Sequence, residues 1–459
     1  MMRRQQRRFR VHALLNRMGA NAIYVIAAGF ASIILIGSIL LSLPCATRSG
    51  ESIGWFDALF TSTSAVCVTG LIVRDTATTF NLFGQVVLLC LIQLGGLGFM
   101  TFATMLLRLI GRQASLQERM LIRESLNEEG VGGMESLIRW VATSAFTVEL
   151  VGAVLFAFRF IPKYGPWKGA FYSIFHAVSA FCNAGFDLFG NYSSLTAFRG
   201  DVLVNLTAML MVVVGGLGFA VLRDLKDRRK SAYLHLQTRI VLSTYGILLA
   251  FGFVFTLISE WSNPATLGNL PLGEKLLAAL FQSVTLRTAG FNTIDEAAIR
   301  PAGKLVASLL MFTGASPAST GGGVKVTTIA VIFLAVRMTV RGEHSIVAFK
   351  RSISNDLVRR ALAVTLIAGF VLLIDTVTIS LMQPELEFMD VLFECASAVG
   401  TVGVSAFGSA NLHVISRIMI ILTMFMGRIG PLTMALVLAH RQNAVRLRVD
   451  YPEGHVMIG

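Results

Sequence analysis

Apolar residues run through this chain in stretches too long for the core of a soluble domain, and polar residues gather in the short gaps between them. Crossing a ~30 Å hydrocarbon layer takes about 20 helical residues. Stretches of that order lie near 20–43, 81–107, 138–161, 201–222, 240–258, 303–336, 359–383 and 412–440, which predicts eight transmembrane helices. Between the members of each successive pair sits a shorter apolar segment ending in glycine, at 55–70, 171–185, 280–290 and 388–403. Such lengths suit a segment that dips into the membrane and returns on the same side. The expected fold is an all-α membrane protein of four parallel span, re-entrant loop, span repeats around a central pore, with eight transmembrane helices and four pore helices.

The repeats are expected at 20–107, 138–222, 240–336 and 359–440, between termini at 1–19 and 441–459. Internal likeness supports them. Asp57, Leu59, Phe60, Ser64, Ala65 and Val66 recur at the same spacing as Asp390, Leu392, Phe393, Ser397, Ala398 and Val399. Phe175, Ser179, Ala180 and Gly185 keep that register, and the third copy reaches Gly290 one residue sooner after Phe281. A second landmark follows each re-entrant glycine by 24 to 30 residues: it begins at Gly95, Gly215, Gly314 and Gly427.

Charge then orients the chain. The net charge of +13 would suit a nucleic acid, but the basic residues cluster at 3–17, 108–123, 223–230, 337–360 and 441–448, each at the edge of an apolar run. That is the distribution of cytoplasmic loops. The reading is a multi-pass inner-membrane protein with both termini cytoplasmic, bathed in membrane lipid, with no nucleic-acid partner. The first apolar run is expected to be a retained span and not a cleaved leader. The five cysteines are scattered and form no metal-ligand spacing.

The chemistry concentrates in three places. The tips read Val68, Thr69, Gly70; Asn183, Ala184, Gly185; Thr288, Ala289, Gly290; and Thr401, Val402, Gly403. Extended backbone at membrane depth is tolerated where it is buried or lines a wet path. Four tips around one axis would turn carbonyls toward a cation and replace its hydration shell, as in a selectivity filter. The sixth stretch, about 50 Å long as a straight helix at 1.5 Å per residue, is interrupted by Gly314, Ser316, Pro317, Ser319, Thr320, Gly321, Gly322, Gly323 and Lys325. This interruption reads as a gating loop or a static kink. Arg428, inside the last apolar run, reads as a barrier charge beside the path or as a tether between helices. Asp57, Asp390 and Glu394 are expected near the outer mouth, where they would raise the local cation concentration. Glu149 and Asp375 are expected to be structural hydrogen-bonding groups within the membrane and not a proton relay.

These residues resemble the Trk/Ktr/HKT superfamily of cation transporters, and most closely its Ktr-type potassium-transporting membrane subunit. The likeness covers roughly 20–440. It rests most on the first tip through Gly70, on Arg287 through Asn292, on Ser316 through Lys325 and on Gly427 through Pro431. It implies that Gly70, Gly185, Gly290 and Gly403 are filter glycines selective for potassium over sodium. It also implies a gate at about 313–325 facing Arg428, a homodimer with a pore in each subunit, a cytosolic ring of nucleotide-binding regulatory subunits, and sodium as an activator. Potassium would be the transported ion. This chain has no GxGxxG after a strand, so no nucleotide is expected to bind to it.

Rival classes find less support. A membrane enzyme would need a nucleophile and base, or a metal cluster, and neither HExxH nor GxSxG occurs. A secondary transporter built from inverted halves would not give four repeats of one orientation.

Overall fold

The computed structural model describes residues 24–98, 134–227, 234–343 and 345–430. Besides single helical turns, the helices in chain order begin with α1 (Tyr24–Ser42), α2 (Trp55–Val66) and α3 (Leu82–Leu97). There follow α4 (Met134–Tyr164), α5 (Pro166–Phe181), α6 (Val202–Leu217) and α7 (Phe219–Asp227). Next come α8 (Leu236–Glu260), α9 (Leu272–Thr285), α10 (Pro301–Phe312) and α11 (Val326–Arg341). The last are α12 (Asn355–Met382), α13 (Phe388–Gly400) and α14 (Val414–Ile429). Among the described residues α1, α4, α8 and α12 are each long and apolar enough to cross a membrane unaided.

The chain buries many hydroxyl side chains beside its apolar core and leaves large apolar side chains on its outside. Thr61, Ser62, Thr63 and Ser64 of α2 are fully buried, whereas Leu35, Leu150, Phe158, Ile247, Leu366 and Leu381 on the long helices are exposed. A soluble protein buries such residues first, so the medium that solvates these surfaces is lipid. Close approach depends on small side chains and hydroxyls. A Cβ on Gly37 of α1 would lie 2.4 Å from Ser62 Oγ of α2, and that hydroxyl donates to Ile34 O at 2.7 Å.

The structure corrects several boundaries. The short helices α5 and α9 start at Pro166 and Leu272, earlier than expected, with Pro166 in the first helical position of α5 and Pro271 capping α9. More consequentially, the break expected only in the sixth span is shared. Helices α3, α6 and α14 stop at Gly98, Gly218 and Gly430, all with positive φ. Only there does the second landmark's last glycine supply the left-handed backbone that ends a helix. At Gly218 the chain turns by 93° into α7, so the stretch 201–222 is not one straight helix. Each of these three helices has 16 residues, about 24 Å at 1.5 Å per residue, and α10 has 12.

The basic segment 337–360 holds an unexpected hairpin, β1 (Ile346–Ala348) paired antiparallel with β2 (Arg351–Ile353). Its turn residues Phe349 and Lys350 both have positive φ, the twist that closes a two-residue hairpin. The expected clusters at 3–17, 108–123 and 441–448, both termini, and the ends of the second and eighth spans lie outside the described residues.

Candidate functional site

The four short helices α2, α5, α9 and α13 end in the same way. Each is followed by a left-handed residue, Val68, Asn183, Thr288 or Thr401, then one residue, then a glycine of positive φ. Left-handed backbone at a β-branched residue is costly, so its occurrence at Val68, Thr288 and Thr401 marks a conformation imposed by the surroundings. A hydroxyl one turn back on each helix braces the bend. Ser64 Oγ accepts from Gly70 N at 3.0 Å and Ser397 Oγ from Gly403 N at 2.9 Å. Ser179 Oγ donates to Phe186 O at 2.7 Å, and Thr285 Oγ1 donates to Phe291 O.

The glycines meet one another. A Cβ on Gly70 would lie 2.6 Å from Ala184 O, one on Gly185 3.0 Å from Ala289 O, one on Gly290 2.7 Å from Val402 O, and one on Gly403 2.0 Å from Thr69 O. Each glycine therefore faces the carbonyl that precedes the next glycine, and the fourth returns to the first. The arrangement is a closed ring of backbone that no side chain at these positions could enter.

The interruption after α10 packs against this ring. A Cβ on Gly321 would meet Thr288 Oγ1 at 2.2 Å, and Gly322 N donates to Thr401 Oγ1 at 3.0 Å. Its polar backbone is well satisfied. Ser316 N donates to Gly216 O, Thr320 N to Gly215 O and Gly323 N to Gly427 O, at 3.1, 3.3 and 3.1 Å. Thr320 Oγ1 donates to Phe181 O at 3.1 Å, and Lys325 Nζ folds back to Gly321 O at 2.8 Å. Ser319 Oγ donates to Ser316 O at 2.6 Å, while Pro317 O lies 2.5 Å from the place a Cβ on Gly218 would take. The loop from Gly314 to Lys325 thus rests on the landmark glycines at the ends of α6 and α14.

Arg428 locks it from the side. Its guanidinium donates to Thr320 O in the loop, to Gly95 O, and to Gly96 O at 3.4 Å near the end of α3. Sequence reasoning placed Arg428 against the broken span but missed its second anchor on α3. It also gave Arg287 no role. That side chain is fully buried and donates to Leu310 O and, at 2.8 Å, to Thr313 O. Leu310 lies in the last turn of α10 and Thr313 is the residue that ends it, and no following helical turn bonds their carbonyls. Arg287 therefore caps the broken helix from the third tip.

The acids near the mouth behave differently from expectation. Asp57 is paired with Arg74 and Arg417 at 2.6 and 2.8 Å, Asp390 is paired with Lys304, and Glu394 is buried and bonded to Ser405 and Ser409. Paired or buried, they do not form a free acidic collar that concentrates cations. Glu149 accepts from Gln93 at 2.9 Å, joining α4 to α3, and Asp375 accepts from Thr423, joining α12 to α14. Among the described residues no group of three or more His, Cys, Asp or Glu could hold a metal ion.

Comparison with known proteins follows the same lines. A family model described as the cation transport protein TrkH matches residues 8–446. The Ktr system potassium uptake protein B of Bacillus subtilis is 40% identical over 435 residues, covering 95% of this chain and 96% of the relative. The potassium/sodium uptake protein NtpJ of Enterococcus hirae is 36% identical, covering 96% of this chain and 98% of that protein. The crystal structure of the potassium transporter TrkH from Vibrio parahaemolyticus superposes with a TM-score of 0.70 at 17% identity, over 92% of this chain and 85% of that one. At that identity the likeness speaks for the fold.

Proposed function

The chain belongs to the TrkH family of cation transport proteins, and from that premise we propose that it takes up potassium through the ring of four glycine tips. The reading has four parallel repeats around a central pore, with eight membrane crossings and α2, α5, α9 and α13 as pore helices. The observation that carries it is the cyclic one: every ring glycine faces the carbonyl before the next. An ion leaving water needs a replacement for its hydration shell, and converging carbonyls supply one. Side chains would fill the space, which is why glycine stands at Gly70, Gly185, Gly290 and Gly403.

The loop from Gly314 to Lys325 is the gate in this reading, and Arg428 its latch. The loop adjoins Thr288 and Thr401 at the base of two tips, and two cations, Lys325 and Arg428, bond to its backbone. A cation leaving the ring on that side would meet backbone already bonded and two positive charges. Opening requires the loop to leave Gly216, Gly427 and Arg428 together.

The names of the relatives support potassium as the ion, and the pairing of potassium with sodium in the Enterococcus protein supports sodium as a second player, an activator in this proposal. The lettered "system" in the name of the Bacillus protein supports a multi-component assembly. The basic segments then lie in the cytoplasm of an inner-membrane homodimer and dock a nucleotide-binding ring. Fluxes of potassium, rubidium and sodium into proteoliposomes holding the purified chain test the core of this reading. Selective potassium entry supports it, and entry of none of the three on relief of the gate contradicts it.

A further inference from the structure

We propose that Glu296 carries a proton in the folded protein and pairs with Gln282 in a two-bond clasp that positions the third tip. The inference rests on reading the tips as the ion path. Gln282 lies on α9 just before the third tip, and Glu296 lies six residues beyond its glycine, in the outward segment leading to α10. Gln282 Nε2 donates to Glu296 Oε2 at 2.9 Å. Both side chains are buried, at 2% and 3% exposure, and each retains one oxygen without a partner, Gln282 Oε1 and Glu296 Oε1. Two orphaned acceptors on the two members of one hydrogen-bonded pair are costly as they stand. One proton on Glu296 Oε1, donated to Gln282 Oε1, satisfies both and turns a single bond into a cyclic acid–amide pair.

The register of the repeats supports a positioning role. The residue after the phenylalanine shared by the motifs, Phe60, Phe175, Phe281 or Phe393, is Thr61, His176, Gln282 or Glu394. His176 Nε2 accepts from Leu188 N at 3.3 Å, just past the second tip. Glu394 accepts from Ser405 Oγ at 2.6 Å and from Ser409, which stands six residues past Gly403 as Glu296 stands past Gly290. Repeats two to four thus tie the pore helix to the chain leaving its tip from one and the same position. In the fourth repeat the carboxylate is on the helix and its donor on the loop. In the third the carboxyl is on the loop and the helix amide donates to it, and it is the remaining pair of oxygens, one on each side chain, that calls for the proton.

The charges around Glu296 are Asp295 on its own segment, Lys304 on α10 and Glu260 at the end of α8, with Lys304 itself paired to Asp390. Burial raises the Glu296 carboxyl to about 8, against the Gln282 hydrogen bond, with Asp295 and Glu260 raising it further and Lys304 opposing them. The unfolded chain releases this proton near 4.5, its ordinary value. The native state therefore binds the extra proton between those two values, and its stability falls as pH rises across that window and levels off above it.

The test uses the full chain and Glu296→Gln, whose carboxamide makes the same two bonds without a proton. At neutral pH the infrared difference between wild type and E296Q should contain a protonated-carboxyl C=O band that disappears as pH passes about 8. Absence of that band overturns the proton on Glu296, whether or not the tips conduct. In proteoliposomes the wild-type rubidium-to-sodium flux ratio should fall severalfold with a midpoint near the same pH, while E296Q keeps the low-pH ratio throughout. The band with an unchanged wild-type ratio, or with the same decline in E296Q, overturns the positioning role. Lack of selective flux in both proteins at every pH counts against the ion-path reading alone, and the band still decides the proton.

Discussion

Burying a charged side chain is costly unless its donors are matched, and this chain does so at single positions. Arg287 is the clearest case, since it is fully buried and bonds only to carbonyls of the chain end it caps. Replacing it by methionine keeps the apolar stem and orphans two acceptors, each costing about 1–3 kcal/mol when buried without a partner. Thermal unfolding in detergent should show Arg287→Met melting well below wild type and Arg287→Lys, which restores one donor, falling between them. A methionine variant that melts with wild type would remove Arg287 from the account. Arg428 makes a different prediction, because its partners lie on two separate elements. Arg428→Ala should raise potassium flux by unlatching the loop. A variant with wild-type flux and a lowered melting temperature would make the arginine a tether and nothing more.

At the scale of elements, the loop between α10 and α11 is a compact plug and not a slack linker. Thr313 and Val324 pair as a parallel bridge across it, and the backbone N–H groups of Ser316, Thr320 and Gly323 anchor it to α6 and α14. Deleting 316–323 removes that seat while leaving the tips and their bracing hydroxyls in place. Flux should rise and dependence on a regulatory partner weaken, with the potassium-to-sodium ratio kept. Wild-type flux and regulation in a stable deletion variant would make this segment a kink. The tips, the loop and Arg428 were legible in the sequence because glycine, proline and charge stand out against apolar runs. The ends of α3, α6 and α14 were not, since a hydropathy window counts Leu97 and Phe99 or Leu217 and Phe219 as one apolar run across the intervening glycine. Only the backbone at Gly98 and Gly218 shows the helix stopping. The pairing of Asp57 with Arg417 was hidden for another reason: the partners are 360 residues apart and meet only once α2 and α14 pack against each other.

For the whole molecule, the proposed function has the ring of glycines choose the ion. Asp57 and Arg417 join α2 to α14, Lys304 and Asp390 join α10 to α13, and the four tips close on one another inside this frame. In the proposed reading this frame holds the tips at a set spacing, so that their carbonyls replace the hydration shell of potassium better than that of sodium. Purification from native membranes in mild detergent should recover a soluble nucleotide-binding partner with the chain, and its consistent absence from a fully regulated preparation would contradict that part of the assembly. The most direct measurement is the potassium-to-sodium flux ratio of wild type and Gly70→Ser in matched proteoliposomes. Gly70 has φ +94°, and a Cβ there comes within 2.6 Å of Ala184 O, so a serine must displace a carbonyl of the ring. Wild type should admit potassium in preference to sodium, and Gly70→Ser, folded and inserted equally well, should lose most of that preference. An unchanged ratio in the folded variant would contradict the ring's role in selectivity.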